Sequence, residues 1–126
     1  MAKKNITTFL GPQKGLLTIG NHCYAFSGLI AGSTSAFTEY LKFTTGDKYS
    51  IVQMQQGSTN ETTRKEVKVL VNGVFVIHQD VDNAYPFPNT WDFLIPPRTE
   101  VEVTLKLGGD NGMKSWFAIV GRVYDA

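Results

Sequence analysis

Residues 66–79 read EVKVLV-NG-VFVIHQ, and Asn72-Gly73 separates two runs rich in β-branched residues. A two-residue type I′ hairpin turn needs positive φ at both central positions, and Asn-Gly tolerates this best. The stretch therefore predicts an antiparallel hairpin near the middle of the chain. No segment of ten or more residues combines helical periodicity with capping signals, so the rest of the chain has to be read in the same β terms.

Short β-rich runs separated by turn residues recur throughout, the pattern of a sandwich or barrel. LLTIG (16–20) and HCYAFSGLI (22–30) come first, and Gly28 inside the second marks a bulge or a close backbone approach. AGSTS (31–35) is a loop. FTEYLKFTTG (37–46) offers Phe37, Leu41 and Phe43 to one face and Tyr40 and Lys42 to the other. In KYSIVQMQQ (48–56), Tyr49, Ile51 and Gln53 oppose Ser50, Val52 and Met54. GSTNETTRK (57–65) reads as a long exposed loop, and DVDNAYPFPNT (80–90) as a second one. WDFLI (91–95) is a strand that stops at Pro96-Pro97. Proline has no amide hydrogen for a ladder and holds its predecessor extended, so this pair should lead the chain, still extended, over the sandwich edge. TEVEVTLKL (99–107) then alternates, with Val101, Val103, Leu105 and Leu107 on one face and Glu100, Glu102, Thr104 and Lys106 on a wet one. MKSWFAIVGRVYD (113–125) closes the chain as a long last strand. The expectation is an all-β, antiparallel, jelly-roll-like β-sandwich of eight to nine strands. It spans 1–126 as one domain, with 1–13 as an N-terminal arm or edge strand.

Composition bounds the function. A chain of 126 residues with 18% charged residues lies below the ~25% of an average soluble protein, a weak pointer to surface hidden against neighbours. Its net charge of +1 gives no strong attraction to nucleic acid or anionic membranes. Cys23 is the only cysteine, which removes any intrachain disulfide and any cysteine-based zinc site, fits a reducing compartment, and reads as a small buried hydrophobe. No signal peptide and no membrane-length apolar run is visible, so a soluble protein made in a cytoplasm is expected.

Candidate chemistry is sparse. His22 and His78 sit in strands with no acid or cysteine at ligand spacing, and neither a nucleophile elbow nor a phosphate-cradling glycine loop is present. No catalytic residue, cofactor or enzymatic activity is expected. Asp80, Asp82 and Asn83 place three oxygen-bearing side chains within four residues. They form a fallback calcium site, but the run lacks the glycine and distal glutamate of an EF-hand loop, and solvated turn formers are the plainer account. Tyr85, Phe87 and Trp91 alternate with prolines, and Trp116-Phe117 lies near the far end. Such aromatics could stack on a sugar or anchor a protein partner. Trp91 and Trp116 are expected instead to plug the open end of the sandwich.

Taken in order, FTTG-x-x-Y (43–49), V-x-V-x-VNG (67–73), FLIPP-x-T-E-V-x-V-x-L (93–105) and an aromatic last strand resemble the small jelly-roll proteins that decorate or cement tailed-phage heads and related viral particles. The similarity covers roughly residues 35–125 and is one of pattern. The resemblance implies a non-enzymatic homotrimer that binds the major capsid protein, assembled in the host cytoplasm and carried on the virion. It implies an N-terminal arm in which Lys3 and Lys4 meet an acidic shell, with Tyr85 and Phe87 as further partner contacts. The alternative is a carbohydrate-binding sandwich that uses Tyr85, Phe87 or Trp91 as stacking platforms.

Overall fold

The computed structural model describes residues 13–59, 64–81, 88–109 and 113–125. These form ten strands: β1 (Gln13–Ile19), β2 (His22–Phe26), β3 (Ile30–Ala31), β4 (Thr38–Thr44), β5 (Tyr49–Ser58), β6 (Lys65–Val71), β7 (Val74–Val81), β8 (Asn89–Ile95), β9 (Glu100–Leu107) and β10 (Lys114–Tyr124). Sheet A runs β1-β2-β10-β5-β8, with β3 also on β10, and sheet B runs β4-β9-β6-β7. All pairings are antiparallel. The all-β sandwich is as expected. Among the described residues no helix is long and apolar enough to cross a membrane.

The connectivity follows from the central hairpin. Asn72 and Gly73 have φ of 50° and 80°, the positive values a type I′ turn requires. Around that apex the strands pair in nested order: β6 with β7, β5 with β8, β4 with β9 and β2 with β10. This is one long hairpin folded over onto itself, the jelly-roll arrangement. The apex is also clipped to its neighbour, because Asn72 N donates to the Glu100 carbonyl at 2.8 Å and Asn72 Oδ1 accepts from Glu100 N at 2.9 Å.

Alternation then selects the core. Val67 and Val69 of β6, Val101, Val103, Leu105 and Leu107 of β9, and Val52 and Met54 of β5 all point between the sheets and are buried. Phe117 and Ile119 of β10 join Val52 and Met54 on the sheet A side. Trp91 also points inward, half-buried against this cluster, and its Nε1 donates to Gln79 Oε1 at 2.9 Å, tying β8 of one sheet to β7 of the other.

The structure has ten strands where eight to nine were expected. Thr104 of the expected wet face is buried, and the expected loop 80–90 is shorter, since β7 runs to Val81 and β8 starts at Asn89. HCYAFSGLI is two strands: β2 pairs Phe26 with Ala118, and β3 resumes by pairing Ile30 with Ser115. Three residues thus face two, and Gly28 takes up the bulge with φ of 75°. The expected loop 57–65 begins later, since Gly57 and Ser58 pair with Trp116 and Ser115 inside β5. A bulge between Glu39 and Leu41 puts Tyr40 and Leu41 both in the core, and Phe37 lies on the outside of sheet B beneath the Lys68 ammonium at 4.3 Å. Finally, the chain does not stay extended after Pro96. It turns at Pro97-Arg98 with Arg98 at φ 50°, held by Arg98 N donating to Gly46 O at 2.8 Å and by Thr45 Oγ1 donating to Pro96 O at 2.7 Å. The double proline still ends β8 in sheet A and delivers the chain to β9 in sheet B, as expected.

Two predictions follow from the apex and the bulge. Asn72→Ala places a Cβ residue in left-handed backbone and removes a side-chain hydrogen bond, so chemical denaturation should show a loss of about 2 kcal/mol. Tyr40 donates to the Ile30 carbonyl at 3.0 Å, and burial pushes its phenol up to about 12. The folded state therefore keeps a proton that the unfolded chain releases near 10.0, so stability is complete below that pH and falls as pH rises toward about 12. Ultraviolet titration should show one late-ionising tyrosine that is absent in Tyr40→Phe.

Candidate functional site

The sites expected on loops lie mostly outside the described residues. Lys3, Lys4, Asp82, Asn83, Tyr85 and Phe87 all do. Asp80 is described: it is exposed at the end of β7, and its Oδ2 lies 4.0 Å from Arg64 Nε. Among the described residues no group of three or more His, Cys, Asp or Glu is placed to hold a metal.

The histidines separate. His22 is exposed on the outside of sheet A. His78 is on the outside of sheet B, where the β6–β7 ladder brings Glu66 to it, so Nε2 and Oε2 meet at 2.5 Å. Sequence spacing alone missed this acid because it lies on the other arm of the hairpin. The hydrogen bond to His78 holds the Glu66 carboxyl below its ordinary value. Cys23 is buried, as expected, and burial raises its thiol pKa. Trp91 is inside the sandwich and offers no stacking platform, because β8 turns odd-numbered side chains inward.

The most developed surface is the outer face of sheet A. Its register can be read in rows across β2, β10, β5 and β8: Phe26, Ala118, Gln55 and Thr90; then Tyr24, Val120, Gln53 and Asp92; then His22, Arg122, Ile51 and Leu94. Above the first row Trp116 pairs with Gly57. A side chain at 57 would collide with the indole, since a Cβ there would lie 2.4 Å from Trp116 Cε2 and Cζ2. Glycine thus makes room for the Trp116 ring on the sheet surface. Phe26 meets that ring edge-on at a centroid distance of 6.2 Å. Trp116 therefore does not plug an end of the sandwich, because an even-numbered position on β10 faces outward.

Along β10 the small Ala118 lies between longer side chains on both flanking strands, and this strip is called the trough below. One wall is aromatic (Phe26 and Tyr24), the floor is Ala118 and Val120, and Trp116 stands at one end. The opposite wall is the amide pair Gln53 and Gln55, in which Gln55 Nε2 donates to Gln53 Oε1 at 3.0 Å. That bond orients the pair and leaves the Gln53 amino group and the Gln55 carbonyl as an adjacent donor and acceptor. With strands ~4.8 Å apart, the two walls stand about 10 Å from one another.

No family model and no curated protein matches the chain. Among solved structures, a family 35 carbohydrate binding module from Clostridium thermocellum is similar at 18% identity and TM-score 0.46, covering 88% of this chain and 87% of that one. A CBM4 structure follows at 16% identity and TM-score 0.38, covering 85% and 74%. A β-glucosidase from Paenibacillus barengoltzii matches at 10% identity and TM-score 0.39, and there the match spans 76% of this chain but only 10% of the enzyme. These values describe a loose likeness of sheet arrangement.

The Gly57–Trp116 contact can be tested directly. Gly57→Ala should push the indole off the sheet, shifting tryptophan emission toward that of a more exposed ring. Because an outward-facing ring can swing aside, the stability cost in denaturant should be about 1 kcal/mol, the low end of overpacking.

Proposed function

We propose that the protein is a non-catalytic carbohydrate-binding domain whose ligand, an extended oligosaccharide, lies in the trough along β10. The observation that carries this reading is the opposition of an aromatic wall to an oriented amide pair across a floor made low by Ala118. A sugar ring has the same two characters: apolar C–H faces that pack on aromatic rings, and equatorial hydroxyls that both donate and accept. Trp116, Phe26 and Tyr24 would take the former. The Gln53 amino group and Gln55 carbonyl would bind two neighbouring hydroxyls, which require one donor and one acceptor. The alternative expectation from the sequence is retained with platforms on sheet A; Trp91 lies inside the sandwich, and Tyr85 and Phe87 lie outside the described residues.

Calorimetric titration against soluble fragments of common neutral polysaccharides tests this. At least one should bind, and Gln55→Ala, an outward-facing change that leaves the core intact, should weaken it at least about tenfold, ~1.4 kcal/mol. Trp116→Ala should do the same, while Asp80→Ala at the far loop end should not. A panel with no binder, or binding indifferent to Gln55 and Trp116, would retire the proposal.

A further inference from the structure

From the lower row of the trough onward the same face changes character. Val120, Gln53 and Asp92 form one row across β10, β5 and β8, and Arg122, Ile51 and Leu94 form the next. Ile51 and Leu94 are each 50% exposed and Val120 is 38% exposed, so an aliphatic patch crosses three strands. Arg122 and Asp92 are exposed and stand at opposite corners of this block, about 12 Å apart by strand geometry. That separation is too great for them to pair with each other, and among the described residues neither has an ion-pair partner.

The block is self-complementary. An axis laid along its other diagonal, from Val120 to Leu94, exchanges the corners. Rotating a second copy by half a turn about that axis sets Arg122 of each chain against Asp92 of the other. Val120 meets its own equivalent, Leu94 meets its own, and Ile51 packs beside Gln53. Strands of the two copies then cross steeply, close to the orthogonal mode of sheet packing. We infer that this face docks a second copy of the chain as a twofold dimer closed by two Arg122–Asp92 ion pairs around the aliphatic centre.

Twofold contacts of this isologous kind are the commonest in soluble oligomers. The five-stranded face measures roughly 24 by 20 Å, so a dimer would bury at most roughly 1,000 Å² in total, at the lower bound for a specific interface. The association is accordingly reversible and concentration-dependent. Facing sheets pack about 10 Å apart, so the second copy would also lie over the trough. Self-association and sugar binding would then exclude one another, a consequence that rests on the proposed function, although the dimer itself does not.

Sedimentation velocity over a dilution series, without sugar, tests the dimer independently of the proposed function. The wild-type chain should move from monomer to dimer as concentration rises. Arg122→Asp alone and Asp92→Arg alone each face like charges twice, and each should weaken association at least about tenfold. The double variant Arg122→Asp/Asp92→Arg should restore it. A wild-type chain that stays monomeric at its highest soluble concentration overturns the inference. So does a dimer indifferent to both single reversals, or a double variant as weak as the singles.

Discussion

Asn72 occupies left-handed backbone, donates its own amide to Glu100 and accepts from the Glu100 amide through its side chain. The remaining strands are arranged around this residue. The turn sets the first pairs, Val71 with Val74 and Leu70 with Phe75. A bulge between Val69 and Leu70 then shifts the register of β6 on β7, and the clip fixes the apex against the start of β9. From there each outer pair is laid down on an inner one, so that both sheets take their strand order from one two-residue turn. A chain with a looser residue at 72 would keep its hydrophobic pattern but lose the point from which that pattern is counted.

Much of this order was legible in the residues. The Asn72-Gly73 turn, the alternation of β9 and the opposed faces of β5 are local properties, written in backbone preference and period-two burial. What escaped notice depends on partners distant in the chain. The bulge that buries Tyr40 beside Leu41 is set by the β9 register, and nothing in TEYLKF announces it. Trp116 was assigned to the wrong place for a related reason. WFAIV is apolar on both faces, so parity alone could not tell which side of β10 faces the core. The decisive partner is Gly57, and only the β5–β10 ladder brings it opposite. Strand order follows from turn and alternation chemistry, but roles belong to faces and not to folds.

The two outer faces illustrate that division. Sheet B sets Glu66 on His78 and holds Lys68 over Phe37 and Phe75. Sheet A carries aromatic rings, oriented amides, aliphatic side chains and two charges with no answering group among the described residues. A surface that leaves a donor, an acceptor and opposite charges unanswered is where a ligand or a second chain gains most.

Nesting also gives the trough a place in the order of assembly. The innermost pair closes across two residues, whereas the pair that brings Phe26 beside Ala118 closes across most of the chain. Loop-closure entropy makes such distant pairings the slow ones. The aromatic wall comes from β2 and the floor from β10, while the amide wall belongs to β5. The trough is therefore a late product of folding, absent from any partly formed sandwich. Under the proposed function, sugar binding would require the pairing of β2 with β10 to be complete.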